Sequence, residues 1–303
     1  MVKKSHRNKI LLYNRKTQRI EEEIVFKRRF MDFFYGSVTG RHLTHGFLSR
    51  HIISNLYGWL QKTPFSRRKI EPFISQYSIN RKEILPPEDG FKSFTDFFIR
   101  KLKPGTRPVS DDMDALVAPA DSRFLIRQIN NDTVISVKGT DYSLEQFLAS
   151  RTVAAPYING LCLQFRLAPS DYHRFGFIDR GVQGPVHTIN GRLNSVSPLA
   201  IEQMPGIMIG NYRQWCFVET IAFGTVVQVE VGAMAVGVIV QHQPYGGQCE
   251  RGQEKGYFEF GGSTIVILFK PRTVCIDPDI LKYSRQGIET LIRYGETVGK
   301  IYK

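Results

Sequence analysis

The stretch GYFEFGGSTIVILF, residues 256–269, joins two strand-like runs across an interruption. Tyr257, Phe258 and Phe260 make the first run aromatic, and residues 264–269 are almost continuously apolar. Between them stand Gly261, Gly262 and Ser263. Two readings compete. Gly-Gly and Gly-Ser supply the positive φ of a tight turn, which would make the stretch a hairpin. Alternatively, the glycines let the backbone bend until the Ser263 hydroxyl reaches a carbonyl, which would make the same residues a chemical site. The rest of the chain is needed to choose.

From about residue 115 onward, runs such as ALVAPADSRFLI, LCLQFRLAP and QWCFVETIAFGTVVQVEVGAMAVGVIVQ are rich in β-branched and aromatic residues and are separated by Gly, Pro and Asp/Asn. One helix-like insert, SLEQFLAS, interrupts them. Residues 111–303 therefore predict a mostly antiparallel, β-sandwich-like domain. Residues 20–82 mix charge with helical periodicity. FLSRHIISNLYGWLQKT, residues 47–63, puts Phe47, Ile52, Leu56, Trp59 and Leu60 on one helical face. DGFKSFTDFFIRKLKPGTRPV, residues 89–109, reads as a short amphipathic helix ended by Pro104-Gly105. The expected fold class is α+β, with a helical N-terminal region at 1–110 on the β-rich domain at 111–303.

The chain has 303 residues, 42% of them hydrophobic and 23% charged, as in a folded soluble protein. No window has the 18 consecutive apolar residues of a membrane span, and MVKKSHRNKILLYNRK lacks the apolar core of a signal peptide. Residues 1–110 hold 23 of the 41 Lys and Arg but 9 of the 28 Asp and Glu, so the whole positive excess lies in this first third. Such a segment wants an anionic partner. No zinc-finger spacing, RNA signature or recognition helix supports nucleic acid. Aromatics beside clusters such as FSRRK suit a helix lying on an anionic phospholipid membrane, and the same helix packed on its own domain is the plainer alternative. The expected location is peripheral, on the cytoplasmic face. Cys162, Cys216, Cys249 and Cys275 are scattered, without metal-ligand spacing, and read as buried free thiols with no metal site.

Three places carry polar residues in suggestive settings: Asp121 in VAPADSRF, the Asp171–Arg174 cluster in RLAPSDYHRFGFIDRG, and Ser263. Singly, each has an ordinary explanation as a turn former or a satisfied surface imidazole. No phosphate loop, nucleophile elbow or H-E-x-x-H helix is present.

Together they carry a resemblance. SFTDFFIRKLKPGTRPV, VAPADSR, LAPSDYHRF, VEVGAMAVG, KGYFEFGGSTIVILF and SRQGIETLIRYGETVGK, in this order, resemble the phosphatidylserine decarboxylases, in particular the Gly-Gly-Ser-Thr subgroup and its chlamydia-like members. The resemblance implies that Ser263 attacks the carbonyl of Gly262, that the resulting ester eliminates and splits the chain, and that residue 263 ends as a pyruvoyl cofactor. It implies decarboxylation of phosphatidylserine to phosphatidylethanolamine, with Asp121 supporting processing and His173 serving decarboxylation. It also implies a homodimer, which the residues themselves leave open. A strand–glycine rhythm in GGQCERGQEKGYF is shared with biotinyl or lipoyl carriers, but no lysine-bearing tip accompanies it.

One position departs from the pattern. The family motif continues D-Y-H-R-F-H, and its second histidine is the processing base; here that position is Gly176. Glycine relays no proton, and losing a member of such a triad costs about 10⁴- to 10⁶-fold. The expectation is a mostly uncleaved precursor, with a water in the vacated space or His187 as partial substitutes. The alternative is a processing-deficient, membrane-binding pseudoenzyme of the same fold.

Overall fold

A computed structural model describes residues 10–23, 58–130, 133–137, 140–192, 209–232, 238–259 and 261–303. The two runs of 256–269 do not pair with each other. Glu254–Phe258 lies between Arg174–Gly176 and Ile239–Gln241 in a three-stranded antiparallel sheet. Ser263–Phe269 lies in an eleven-stranded sheet, antiparallel to Gly224–Gly232 on one side and Leu161–Leu167 on the other. The hairpin reading therefore fails. Every residue of Ser263–Phe269 is buried, and both of its edges are already taken by Gly224–Gly232 and Leu161–Leu167, leaving none for Glu254–Phe258. The glycines carry the chain from one sheet to the other, and Gly261 has φ +137°, a conformation that disfavours any side chain.

Side chains alternate across a strand, which decides what Ser263 faces. Ile265, Ile267 and Phe269 pack with Phe124, Phe165, Phe175 and Phe258, the core between the large sheet and the small ones. Val266 and Leu268 point the other way, against Val227, Val229 and Val231, and the helices carrying Leu144, Phe147 and Ala154 cover them. Ser263 has the parity of Ile265, so its hydroxyl looks toward the small sheet that holds Arg174–Gly176.

Across the large sheet the order is Gly247–Cys249, Gly181–Gln183, Arg213–Thr220, Gly224–Gly232, Ser263–Phe269, Leu161–Leu167, Ser122–Gln128, Glu289–Ile292, Leu11–Asn14 and Arg19–Glu22, with His187–Ile189 beside Arg213–Thr220. Pairing is antiparallel throughout except where Leu11–Asn14 runs parallel to Glu289–Ile292. A second three-stranded sheet contains Val274–Ile276, Thr297–Ile301 and Ala115–Val117. The α+β reading holds in its coarse form.

Among the described residues of 1–110, strands stand beside helices. Residues 11–22 form a β-hairpin that extends the large sheet. Tertiary contacts explain the departure from local pattern: Leu12 and Tyr13 are buried, and Tyr13 stacks on Tyr283 at 3.9 Å. Arg15 also reaches Asp277, Asp279 and Glu296 at 2.8, 2.8 and 3.1 Å. Of the helix expected at 47–63, residues 47–57 lie outside the described residues and 58–62 are helical, with Trp59 and Leu60 exposed. Pro64–Lys69, Ile70–Gln76 and Phe94–Phe98 are helical, and the last two share a separate apolar cluster of Ile70, Phe73, Ile74, Phe94, Phe97 and Phe98. Ser93 caps the last of these, accepting a hydrogen bond from the Asp96 N–H. That helix stops at Phe98, well before Pro104, because Lys101–Leu102 pairs with Ile84–Leu85. Cys162, Cys216 and Cys249 are buried free thiols, whereas Cys275 is only half-buried.

Candidate active site

Ser263 heads its strand opposite Leu167 and Gly232, fully buried. The chain leaving Leu167 turns sharply at Ala168–Asp171. The Asp171 carboxylate accepts the Ala168 N–H at 2.7 Å, and the Asp171 N–H donates to the Ala168 carbonyl at 2.9 Å. The same carbonyl accepts from Nε2 of His173 at 2.9 Å. With Nε2 donating, neutral His173 offers Nδ1 as an acceptor, and Nδ1 lies 3.4 Å from Ser263 Oγ. The Phe98 ring covers the imidazole at 4.1 Å.

His173 is fully buried, and desolvation presses its pKa down to about 3; the Ala168 bond opposes this, while the Arg100 and Arg123 charges add to it. The imidazole is therefore neutral near pH 7 and able to take a proton, although as a weak base. Its geometry is that of a nucleophile–base pair, with a hydrogen bond long enough to tighten as the reaction proceeds.

Beneath the turn lies a chain of buried charges. Arg123 bonds the Asp171 carboxylate and forms an ion pair with Glu23, its Nε 2.8 Å from a carboxylate oxygen. Glu23 also takes Arg166 at 2.8 Å, and Arg166 reaches Glu289 at 2.9 Å. The N-terminal hairpin thus delivers a carboxylate to the support of the histidine turn.

Asp121 is held by groups other than the Ser263–His173 pair. It accepts from Arg107 at 2.8 and 2.6 Å and from the Tyr294 N–H at 2.8 Å, and no described hydrogen bond joins it to His173 or Ser263. The vacated space expected at Gly176 is absent. A Cβ built there would stand 1.9 Å from the Tyr294 hydroxyl and 2.7 Å from the Gln253 carbonyl oxygen. Tyr294 fills the region between Asp121 and Gly176, donating its hydroxyl to the Gly252 carbonyl at 2.9 Å. His187 is no substitute either. It stacks on Trp215 at 4.3 Å, three strands from Ser263, or about 14 Å at ordinary strand spacing.

The structure therefore brings Ser263 and His173 together, shows no described hydrogen bond from Asp121 to either, and adds Phe98, Arg100, Arg107, Arg123 and Tyr294 around them. Arg100 and Arg107 lie in SFTDFFIRKLKPGTRPV, a stretch whose local pattern predicts only a short amphipathic helix. Among the described residues no group of three or more His, Cys, Asp or Glu side chains is arranged to hold a metal ion.

The family model for phosphatidylserine decarboxylase matches residues 94–300. The phosphatidylserine decarboxylase proenzyme of Desulfitobacterium hafniense (strain Y51) is 38% identical over 299 residues, covering 97% of this chain and 99% of the relative. The proenzyme of that name from Clostridium tetani is 39% identical over 292 residues, and that from Clostridium beijerinckii 37% over 291; each match covers 96% of this chain and 98% of the relative. The chain belongs to the phosphatidylserine decarboxylase family.

Proposed function

We propose that this chain is a phosphatidylserine decarboxylase made as a proenzyme, which cuts itself between Gly262 and Ser263 with His173 as the base. The observation that carries the reading is the approach of His173 Nδ1 to Ser263 Oγ in a buried site. Nδ1 takes the hydroxyl proton as Oγ adds to the Gly262 carbonyl carbon. The Gly262–Ser263 C–N bond then breaks, and the serine nitrogen takes up a proton, leaving an ester. Loss of the Ser263 Cα proton expels the Gly262 carboxylate and leaves dehydroalanine, which takes up water and releases ammonia to give a pyruvoyl terminus. A base as weak as His173 makes this cleavage slow.

The residues present fit a pyruvoyl group at 263: a small side chain at the head of a buried strand, a flexible glycine pair before it and an imidazole beside it. Its ketone supplies an electrophile for the substrate amine and a sink for the electron pair left by CO2. Phe98 and the Ala168 carbonyl keep His173 oriented, and the imidazole is placed to hold and return the proton the product needs. Water is kept out by the Phe98 ring over the imidazole and by the burial of Ser263 and His173.

The basic N-terminal third holds the enzyme on anionic membrane. Exposed Trp59 and Phe65 stand beside Arg67, Arg68 and Lys69, a pairing of apolar anchors with cations that suits a headgroup layer. No helix among the described residues is long and apolar enough to cross a membrane.

The test is carboxyl-labelled phosphatidylserine offered to purified protein, with reductive trapping of any ketone on the small fragment. Labelled CO2 and a trapped residue 263 are expected, and both vanish in Ser263→Ala. CO2 release without a modified residue 263 overturns the reading.

A further inference from the structure

Among the described residues, Arg100 is a cation with no ion-pair partner. It is 5% exposed, lies on the Phe97 ring at 4.9 Å, and donates to the carbonyls of Phe98, Ser170 and Asp171 at 3.5, 3.3 and 3.2 Å. Its Nε has no acceptor. Among the described residues no carboxylate pairs with it, whereas its arginine neighbours are all served: Arg107 by Asp121, Arg123 by Asp171 and Arg174 by Glu254. Asp121 and Asp171 attract Arg100 through space, yet both are already bonded to other guanidinium groups.

Arg213 gives an internal comparison. It too is buried without a carboxylate, but four carbonyl contacts at 2.6 to 3.1 Å use its Nε and both terminal nitrogens. Arg213 is structurally satisfied, and Arg100 is not. Burying a charge against three long, neutral acceptors is unfavourable unless an anion arrives to complete the site.

Its position says which anion. Two of its acceptors, Ser170 and Asp171, lie on the turn that holds His173, and Phe98, two residues earlier, covers the His173 ring. We propose that Arg100 is the anion-holding residue of the substrate site, presenting its unpartnered Nε–H, with Nη2 exchanging its long carbonyl bonds, to an anionic oxygen group of the phosphatidylserine headgroup, either the carboxylate or the phosphodiester. A guanidinium fork suits such a group because two parallel N–H donors fix its orientation. The proposal rests on the decarboxylase reading above and adds a consequence to it. The Arg100 charge is one cause of the low basicity of His173, so an anion docked on Arg100 makes the imidazole a better base as substrate arrives.

The experiment uses full-length Ser263→Ala protein, which stays uncut whether or not the native chain cleaves itself. With ¹⁵N-labelled histidine, the His173 ring signals are followed at fixed pH while inorganic phosphate or, separately, amine-free lactate is added, with chloride at matched ionic strength as control. One of the two anions is expected to give a saturable shift: phosphate if the phosphodiester docks there, lactate if the carboxylate does. Arg100→Gln weakens this binding tenfold or more. Arg100→Lys, which keeps the charge without the fork, weakens it at least threefold and serves if the glutamine variant does not fold. In cleaved enzyme, Arg100→Gln raises the KM for phosphatidylserine tenfold or more. No saturable shift with either anion, or equal shifts in the parent and the Arg100 variants, overturns the proposal. Failure of the native chain to form a residue-263 fragment overturns the decarboxylase reading and leaves the anion result to stand or fall separately.

Discussion

At the scale of single residues, two groups carry the predictions, His173 and Gly176. His173 is neutral across the usual pH range because burial holds its pKa near 3. Self-cleavage through it is predicted to be flat from pH 8 to about pH 4 and to fall only as the imidazole protonates below that; a rate series read by intact mass checks this. A fall through pH 6.5 would mean that the base is an ordinary, solvated histidine. The same depression makes the neutral ring stabilising above its unfolded value of 6.5, and this contribution is lost progressively as pH drops from there toward 3. Gly176 is the second group. Tyr294 and the Gln253 carbonyl leave no room for a side chain, so Gly176→His alone should destabilise the fold by about 1–3 kcal/mol and leave cleavage no faster. Adding Tyr294→Ala removes the larger obstacle. The double variant is expected to cleave faster than the parent, and denaturation curves with fragment yields distinguish the two effects.

At the scale of elements, the N-terminal hairpin is coupled to the catalytic turn through Glu23. Glu23→Gln leaves Arg123 and Arg166 short of a carboxylate in a buried place and is predicted to cost about 3–5 kcal/mol at pH 7. Burial raises the Glu23 pKa, but the Arg166 and Arg123 charges and hydrogen bonds outweigh it and hold the carboxylate below its ordinary 4.5. Its contribution is therefore full above pH 4.5 and lost as pH falls through the lower folded value. The stability gap between parent and Glu23→Gln, measured in urea, should narrow below pH 4.5. This hairpin was not legible in the sequence. Residues 11–14 form a four-residue strand in a basic segment, and it exists because Glu289–Ile292 offers an edge and three acidic groups clasp Arg15. By contrast, Leu161–Leu167, Gly224–Gly232 and Ser263–Phe269 could be read directly, since their β-branched runs carry the signal locally. In the site, Ser263 and His173 were legible because short motifs mark them. Phe98, Arg100 and Tyr294 were not, since their importance comes from contacts with residues 70 to 173 positions distant.

At the scale of the whole molecule, a cut before Ser263 falls in the middle of the largest sheet. The new fragment keeps partners on both edges of Ser263–Phe269, and its Glu289–Ile292 strand sits between Ser122–Gln128 and Leu11–Asn14. The two pieces are predicted to elute together on size exclusion and to part only in denaturant. Separation under native conditions would mean that cleavage opens the sheet.

The most direct test of the central claim, that Ser263 and His173 form the self-cleaving pair, is an intact-mass time course of the purified chain beside its His173→Gln variant. The account predicts slow appearance of a fragment beginning at residue 263 with a pyruvoyl terminus in the parent, and at least a hundredfold loss of that rate in the variant. A parent that stays full length, or a variant that cleaves as fast as the parent, would contradict it.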